Sequence, residues 1–70
     1  MKRAFDIYFE SGYDTNGVPV TTKVKTFKNE PDAVAFFENP RNERRYKNMT
    51  LTRTVDGETH EWDPRKRDWK

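Results

Sequence analysis

The sequence predicts an α+β domain with the element order ββαββ, in which two antiparallel hairpins form a four-stranded sheet and one short helix packs on one face. The pairs Asn16-Gly17 and Asp56-Gly57 each lie between stretches that alternate apolar and polar side chains. Such pairs are the strongest short-range signal of a hairpin. Between the two hairpins, residues 29–39 carry a helix start signal and an apolar stripe, which predict the helix.

The first hairpin is expected to turn at Asn16-Gly17. In that register Phe9 lies opposite Val24, and Glu10 lies opposite Lys23, a favourable cross-strand pair of opposite charges. The apolar face then contains Phe5, Ile7, Phe9, Tyr13, Val18, Val20 and Val24. Because one register sorts apolar and polar residues onto separate faces, we expect the apolar face to lie in the core.

The helix is expected over residues 29–39. Asn29 is a good N-cap, Pro31 suits the first turn, and Asn39-Pro40 is a stop signal. The apolar stripe contains Ala33, Val34, Phe36 and Phe37. A helix this short is not stable alone in water, so we expect it to lie on the sheet with its Phe side chains in the core.

The second hairpin is expected to turn at Asp56-Gly57, with Arg53 opposite His60 and Leu51 opposite Trp62. Its core face contains Met49, Leu51, Val55 and Trp62, and its other face contains Thr50, Thr52, Thr54, Thr59 and Glu61. A right-handed crossover through the helix makes the first and third strands central neighbours. We expect one domain over residues 1–64 and a basic C-terminal tail over residues 65–70.

Length and composition narrow the class of protein. A chain of 70 residues has material for one small core. It contains no cysteine, which excludes disulfides and thiolate metal ligands and favours a cytoplasmic setting. No apolar run reaches the length of a membrane span, so we expect no membrane partner.

Three stretches carry a resemblance to a known group of proteins. They are "TF" at Thr26-Phe27, "DAVAFF" at 32–37 and "YKNMTL" at 46–51, followed by the closing "DG" turn. In these stretches the chain resembles small uncharacterised ββαββ proteins of phages and mobile elements. The resemblance implies the ββαββ fold and a protein that binds host components, in the host cytoplasm if it is phage-encoded. It assigns no catalytic or binding residue.

Catalytic chemistry has little support in the sequence. A nucleophile needs an adjacent base, whereas Ser11 lies in a predicted turn region and the single histidine, His60, is expected opposite Arg53. Glu61 and Asp63 share a strand face, but two carboxylates are fewer than an oxygen-ligand metal site wants. We therefore expect no enzymatic activity, no cofactor and no metal.

The clearest functional signal is basic charge. Residues 41–70 carry nine basic and six acidic side chains, whereas residues 1–40 carry five and six. Extending the second hairpin outward sets Lys47 opposite Lys66 and Tyr46 opposite Arg67. Since like charges directly opposite each other are destabilising, this register indicates a negatively charged partner. The predicted partner-binding residues are Arg44, Arg45, Tyr46, Lys47, Arg65, Lys66, Arg67 and Trp69.

Two kinds of partner fit such a patch. We expect a small binding module that modulates or inhibits a host protein through an acidic surface of that protein. The alternative is a DNA- or RNA-binding protein, although a net charge of only +2 argues against a long phosphate footprint. We expect Trp69 either to contact the partner or to anchor the tail onto the sheet. The alternative is that the chain past Pro64 frays into solvent. A monomer or weak homodimer is expected.

Overall fold

A five-stranded antiparallel sheet and two short helices make up residues 3–70, the part of the chain that this computed structural model describes. The strands are β1 (Arg3–Tyr13), β2 (Pro19–Phe27), β3 (Thr50–Val55), β4 (Glu58–Asp63) and β5 (Asp68–Trp69), and the helices are α1 (Glu30–Glu38) and α2 (Pro40–Arg45). The α+β class with an antiparallel sheet is confirmed. The predicted count of four strands and one helix is exceeded by β5 and α2.

The strand order in the sheet is β2-β1-β3-β4-β5. β1 and β3 are therefore neighbours, as predicted from a right-handed crossover, and Ile7 of β1 pairs with Leu51 of β3. Both side chains are fully buried. The contacts of α1 with the sheet are with β1, β2 and β3, so the helix covers the side of the sheet that ends at β2.

The core is small and lies between α1 and the sheet. Its buried residues are Phe5, Ile7, Ala33, Leu51 and Trp62. Partly buried apolar side chains surround them, namely Val24, Phe27, Val34, Phe36, Phe37, Met49 and Trp69. The predicted helix and its apolar stripe are confirmed, but Ala33 rather than a phenylalanine is its fully buried residue.

The predicted register of the first hairpin is wrong. Phe9 pairs with Thr22 rather than Val24, and Lys23 pairs with Tyr8. The turn accounts for one position of this change, and the register shift at Ser11 accounts for the second. In the turn, the Asp14 carboxylate accepts hydrogen bonds from the backbone N–H groups of Asn16 and Val18 at 2.8 and 2.9 Å. This arrangement closes a three-residue loop in place of the expected two-residue turn.

Two register shifts follow along β1 and β2. One leaves Val24 without a direct partner between Lys23 and Lys25, and the other leaves Ser11 without one between Glu10 and Gly12. A consequence is that the predicted apolar face does not reach the hairpin tip. Tyr13, Val18 and Val20 are 62%, 54% and 43% exposed.

The turn of the second hairpin and the pairs nearest to it are as predicted, but the predicted pair Leu51–Trp62 lies beyond the last paired residues, Thr52 and Glu61. Arg53 pairs with His60 and Val55 with Glu58. The turn residues Asp56 and Gly57 have φ of 50° and 86°, the left-handed values that a two-residue type I′ turn requires.

Residues 65–70 form a turn and a strand. The Asp63 carboxylate accepts hydrogen bonds from the backbone N–H groups of Arg65 and Lys66, and Arg67 takes a positive φ of 53°. The chain then reverses, and Trp69 pairs with Trp62 of β4. The chain past Pro64 therefore does not fray in this structure.

A single asparagine separates the two helices. Asn39 ends α1, and its side chain accepts a hydrogen bond from the Arg41 N–H at 2.9 Å, which caps the start of α2. Pro40 occupies the first position of α2, where its missing N–H has no helical partner to lose. The predicted stop signal thus also starts a second helix.

Candidate functional site

The two predicted basic clusters attach to the same end of the sheet, where β3 begins and β4 ends. The pairing of β3 with β4 ends at Thr52–Glu61, so Lys47 does not lie opposite Lys66. Instead the Lys47 carbonyl accepts a hydrogen bond from the Glu10 N–H of β1 at 2.9 Å. The predicted outward extension of the hairpin is wrong because the chain before β3 turns toward β1.

The first cluster lies on and just after α2. Arg44 and Arg45 form its last turn and are exposed, as is Lys47. Arg41, which the sequence reasoning missed, is also exposed and precedes them by three and four positions. Residues at that spacing share a helix face, which was the available signal. We call Arg41, Arg44, Arg45 and Lys47 the α2 cluster.

Tyr46 is the aromatic residue within the α2 cluster, and it is partly buried. Its ring lies edge-on to Phe9 with 5.2 Å between centroids and is tilted against Phe36 at 6.3 Å. The Arg45 guanidinium carbon lies 5.6 Å from the same ring. Tyr46 therefore joins the α2 cluster to the core and is held in place.

The α2 cluster continues onto the tip of the first hairpin. Lys47 Nζ lies 5.8 Å from the centre of the Tyr13 ring, within cation–π range. Next to it, the Asn48 side chain donates a hydrogen bond to Glu10 Oε2 at 2.9 Å. The exposed apolar tip was missed in the sequence analysis because Tyr13 was assigned to the core.

A hollow of about 240 Å³ lies beside the α2 cluster. Its lining consists of Phe37, Glu43, Tyr46, Asn48 and Met49. The first and last of these are partly buried apolar side chains. The surface around the α2 cluster thus combines cations with a recess whose lining is partly apolar and partly polar.

The second basic cluster occupies the turn before β5, and we call Arg65, Lys66 and Arg67 the turn cluster. All three are exposed. The Arg67 guanidinium forms an ion pair with Glu38 at 3.0 Å, close in sequence to the start of α2. The turn cluster therefore contacts the end of α1, whereas the α2 cluster contacts β1.

Trp69 packs onto its own sheet. Its ring lies 5.1 Å from that of Trp62 and 6.1 Å from that of Phe5, centroid to centroid. Its indole N–H donates a hydrogen bond to Glu30 of α1 at 2.7 Å. These contacts anchor the tail onto the sheet, which is one of the two roles predicted for Trp69.

Few of the predicted cations have a counter-ion. Among residues 3–70 the ion pairs are Lys23–Asp6, His60–Glu58, Arg67–Glu38 and Lys70–Glu61, the second only when the imidazole is protonated. Of the six predicted basic binding residues, only Arg67 belongs to one of them. The other five are Arg44, Arg45, Lys47, Arg65 and Lys66.

The residues considered for catalysis bond to different groups. Ser11 Oγ donates to the Val20 carbonyl and accepts from Thr22 Oγ1. His60 Nδ1 lies 3.1 Å from the Lys70 carbonyl oxygen. Ser11 is thus engaged at the hairpin tip and His60 beside the end of β5.

Within residues 3–70 no group of three or more His, Asp or Glu side chains is placed to hold a metal ion. No helix in that part of the chain has the length and apolar character needed to cross a membrane. Comparison of the chain with protein-family models, curated proteins and solved structures yields no match.

Proposed function

We propose that this chain is a small non-enzymatic binding module that docks on an acidic surface of a protein partner. The α2 cluster, the hairpin tip around Tyr13 and the neighbouring hollow form its main contact surface. Arg65 and Lys66 of the turn cluster extend the same positive end of the sheet. Modulation or inhibition of a host protein, implied by the resemblance to phage proteins, is the outcome that we propose for this docking.

The observation that carries the proposal is the absence of counter-ions for grouped cations. Residues 3–70 provide an ion pair for Arg67 but none for Arg44, Arg45 or Lys47. Grouped like charges repel one another, so their grouping costs stability unless a partner supplies the opposite charge. An acidic surface would also raise the association rate by electrostatic steering.

The aromatic residues support a protein partner over a nucleic acid. Base recognition by stacking needs exposed rings, whereas Tyr46 and Trp69 are partly buried against core residues. Tyr13 is exposed, but it neighbours Val18 at an apolar tip. Exposed tyrosine and arginine, beside a recess that Phe37 and Met49 line in part, are typical of protein interfaces.

The test is a charge reversal with a matched control. The Arg45→Glu/Lys66→Glu variant replaces two exposed cations that form no ion pair in residues 3–70. Lys28→Glu reverses an exposed cation outside both clusters. Immobilised parent and variants are incubated with extract of the source organism, and captured proteins are quantified by mass spectrometry.

We expect an acidic protein that the parent and Lys28→Glu capture equally and that the double reversal loses. With that protein purified, the association rate constant should fall by at least about tenfold and lose most of its salt dependence. Equal capture by all three proteins would contradict the proposal. A salt-sensitive gel shift of DNA or RNA that the double reversal abolishes, without any protein partner, would assign the surface to nucleic acid instead.

A further inference from the structure

A second hollow, of about 450 Å³, lies at the Asp56-Gly57 end of the sheet, away from the α2 cluster. Its lining consists of Arg3, Arg53, Val55, Asp56, Glu58 and His60. Arg53 and His60 form a directly opposed cross-strand pair, which places a guanidinium beside an imidazole. Proposed protein docking at the α2 cluster uses none of these residues.

Arg53 is held in a fixed position in this hollow. Its guanidinium carbon lies 4.7 Å from the centre of the Trp69 ring, and that ring is itself packed on Trp62. A guanidinium stacked on an aromatic ring loses little further freedom when it binds a ligand. The hollow therefore contains a preorganised cation.

Arg53 also lacks a counter-ion within residues 3–70. It belongs to none of the ion pairs found there, and its Nε atom is buried without a hydrogen-bond partner. A partly buried guanidinium in this situation has lost hydration and gained no acceptor in exchange. An anion that enters the hollow beside this guanidinium would supply the missing opposite charge.

The two carboxylates in the lining do not cancel this charge. The Glu58 side chain is 83% exposed and lies 3.9 Å from His60 Nε2, whereas the His60 side chain is 40% exposed. Asp56 is exposed in the turn. Water and salt screen exposed charges more strongly than partly buried ones, so the charges of Glu58 and Asp56 are weakened more than that of Arg53.

We propose that this hollow binds one oxyanion group, a phosphate or a carboxylate, of a small ligand. The guanidinium of Arg53 is the main donor, since its planar fork matches both groups. Because His60 Nδ1 already lies 3.1 Å from the Lys70 carbonyl oxygen, the His60 ring donates to the anion through Nε2 only when the imidazole is protonated. Glu58 then competes with the ligand for the same Nε2–H.

The test is an NMR titration of the full chain with inorganic phosphate and with acetate, at constant ionic strength against chloride. Saturable shifts are expected at the Arg53 Nε–H and the His60 ring. Arg53→Gln should weaken binding by about tenfold or more, the effect of losing a charged hydrogen bond. Glu58→Gln should tighten it by about threefold, the effect of removing one screened negative charge. Lys28→Gln, at an exposed cation outside both basic clusters and outside the lining of the hollow, is the matched control and should bind as the parent does.

Tighter binding of phosphate than of acetate, or the reverse, assigns the oxyanion. The proposal is overturned if phosphate and acetate shift these signals no more than chloride does, or if a folded Arg53→Gln variant binds as the parent does. Should Arg53→Gln fail to fold, judged by circular dichroism, unchanged affinity in both Glu58→Gln and His60→Gln overturns it equally. These results do not depend on the α2 cluster.

Discussion

The indole N–H of Trp69 donates a hydrogen bond to Glu30 Oε1 at 2.7 Å. This bond joins the last strand of the sheet to the first turn of α1, across 39 positions of sequence. The same indole ring packs on Phe5 and Trp62. The C-terminal residues therefore close one side of the core.

Removing the Trp69 side chain should destabilise the whole domain. Large aromatic-to-alanine changes in cores cost about 3 to 5 kcal/mol, and partial burial of Trp69 places the expected loss at about 2 to 4 kcal/mol of unfolding free energy. Urea denaturation of Trp69→Ala measures it. Lys66→Ala, in the exposed turn, should change the unfolding free energy by less than about 0.5 kcal/mol. Equal stability of the two variants would show that the tail does not belong to the core.

Enlarging Ala33 should push α1 away from the sheet. Ala33 has no exposed surface, so the added atoms of Ala33→Leu must displace neighbours at a cost of about 1 to 3 kcal/mol. The matched control is Ala35→Leu, which makes the same change on the exposed side of the helix. Thermal melting should separate the two variants by several degrees. If both melt with the parent, the helix packs through another face.

Hydrogen exchange should distinguish the two hairpins. β3 is paired on both sides, with β1 and β4, and its Leu51 is fully buried, whereas residues 11–20 are all exposed. Local opening is easier where few apolar contacts must break. Amides of β3 should therefore exchange more slowly than those at the tip of the first hairpin. Equal protection would be evidence against the pairing described for β3.

Glu61 should control the titration of Lys70. The Lys70 amine donates a hydrogen bond to Glu61 Oε2 at 2.8 Å, and this bond and the negative charge raise the Lys70 pKa above its ordinary value of 10.5. A raised pKa in the folded state means that the pair stabilises the fold below the ordinary pKa and that this contribution disappears as pH rises through the higher folded value. Glu61→Gln should lower the Lys70 pKa, measured by NMR of the amine. Glu58→Gln should leave it unchanged, and a pKa insensitive to Glu61 would contradict the pairing.

Much of the fold could be predicted because local signals agreed with tertiary structure. Alternation around Asp56-Gly57 gave the pairing of Arg53 with His60 correctly, and the capping signal at Asn29 gave the start of α1. The predicted register of the first hairpin was wrong because Asp14 closes a longer loop than Asn16-Gly17 implies and because Ser11 has no direct partner. Which of the two turn types forms depends on the Asp14 side chain. The alternation of apolar and polar residues contains no information about that choice.

The candidate site was predictable only in part. Charge density along the sequence identified Arg44, Arg45 and Lys47, but their neighbours depend on how the chain turns before β3. Lys47 lies near Tyr13 because the Lys47 carbonyl accepts a hydrogen bond from the Glu10 N–H of β1. Such a contact joins distant segments and leaves no periodic signal. The start of α2 at Pro40 could have been predicted from the sequence, since proline is common at the first helical position.

The displaced residue Val24 has a consequence for how the protein behaves in concentrated solution. β2 is the long outer edge of the sheet, and an exposed strand edge is a template on which other chains can aggregate. Val24 interrupts the regular pairing between Lys23 and Lys25, which places a bulge between two positive charges. Bulges and edge lysines both obstruct pairing with a further strand. The irregularity that shifts the first hairpin thus guards this edge against growth of the sheet from one molecule into the next.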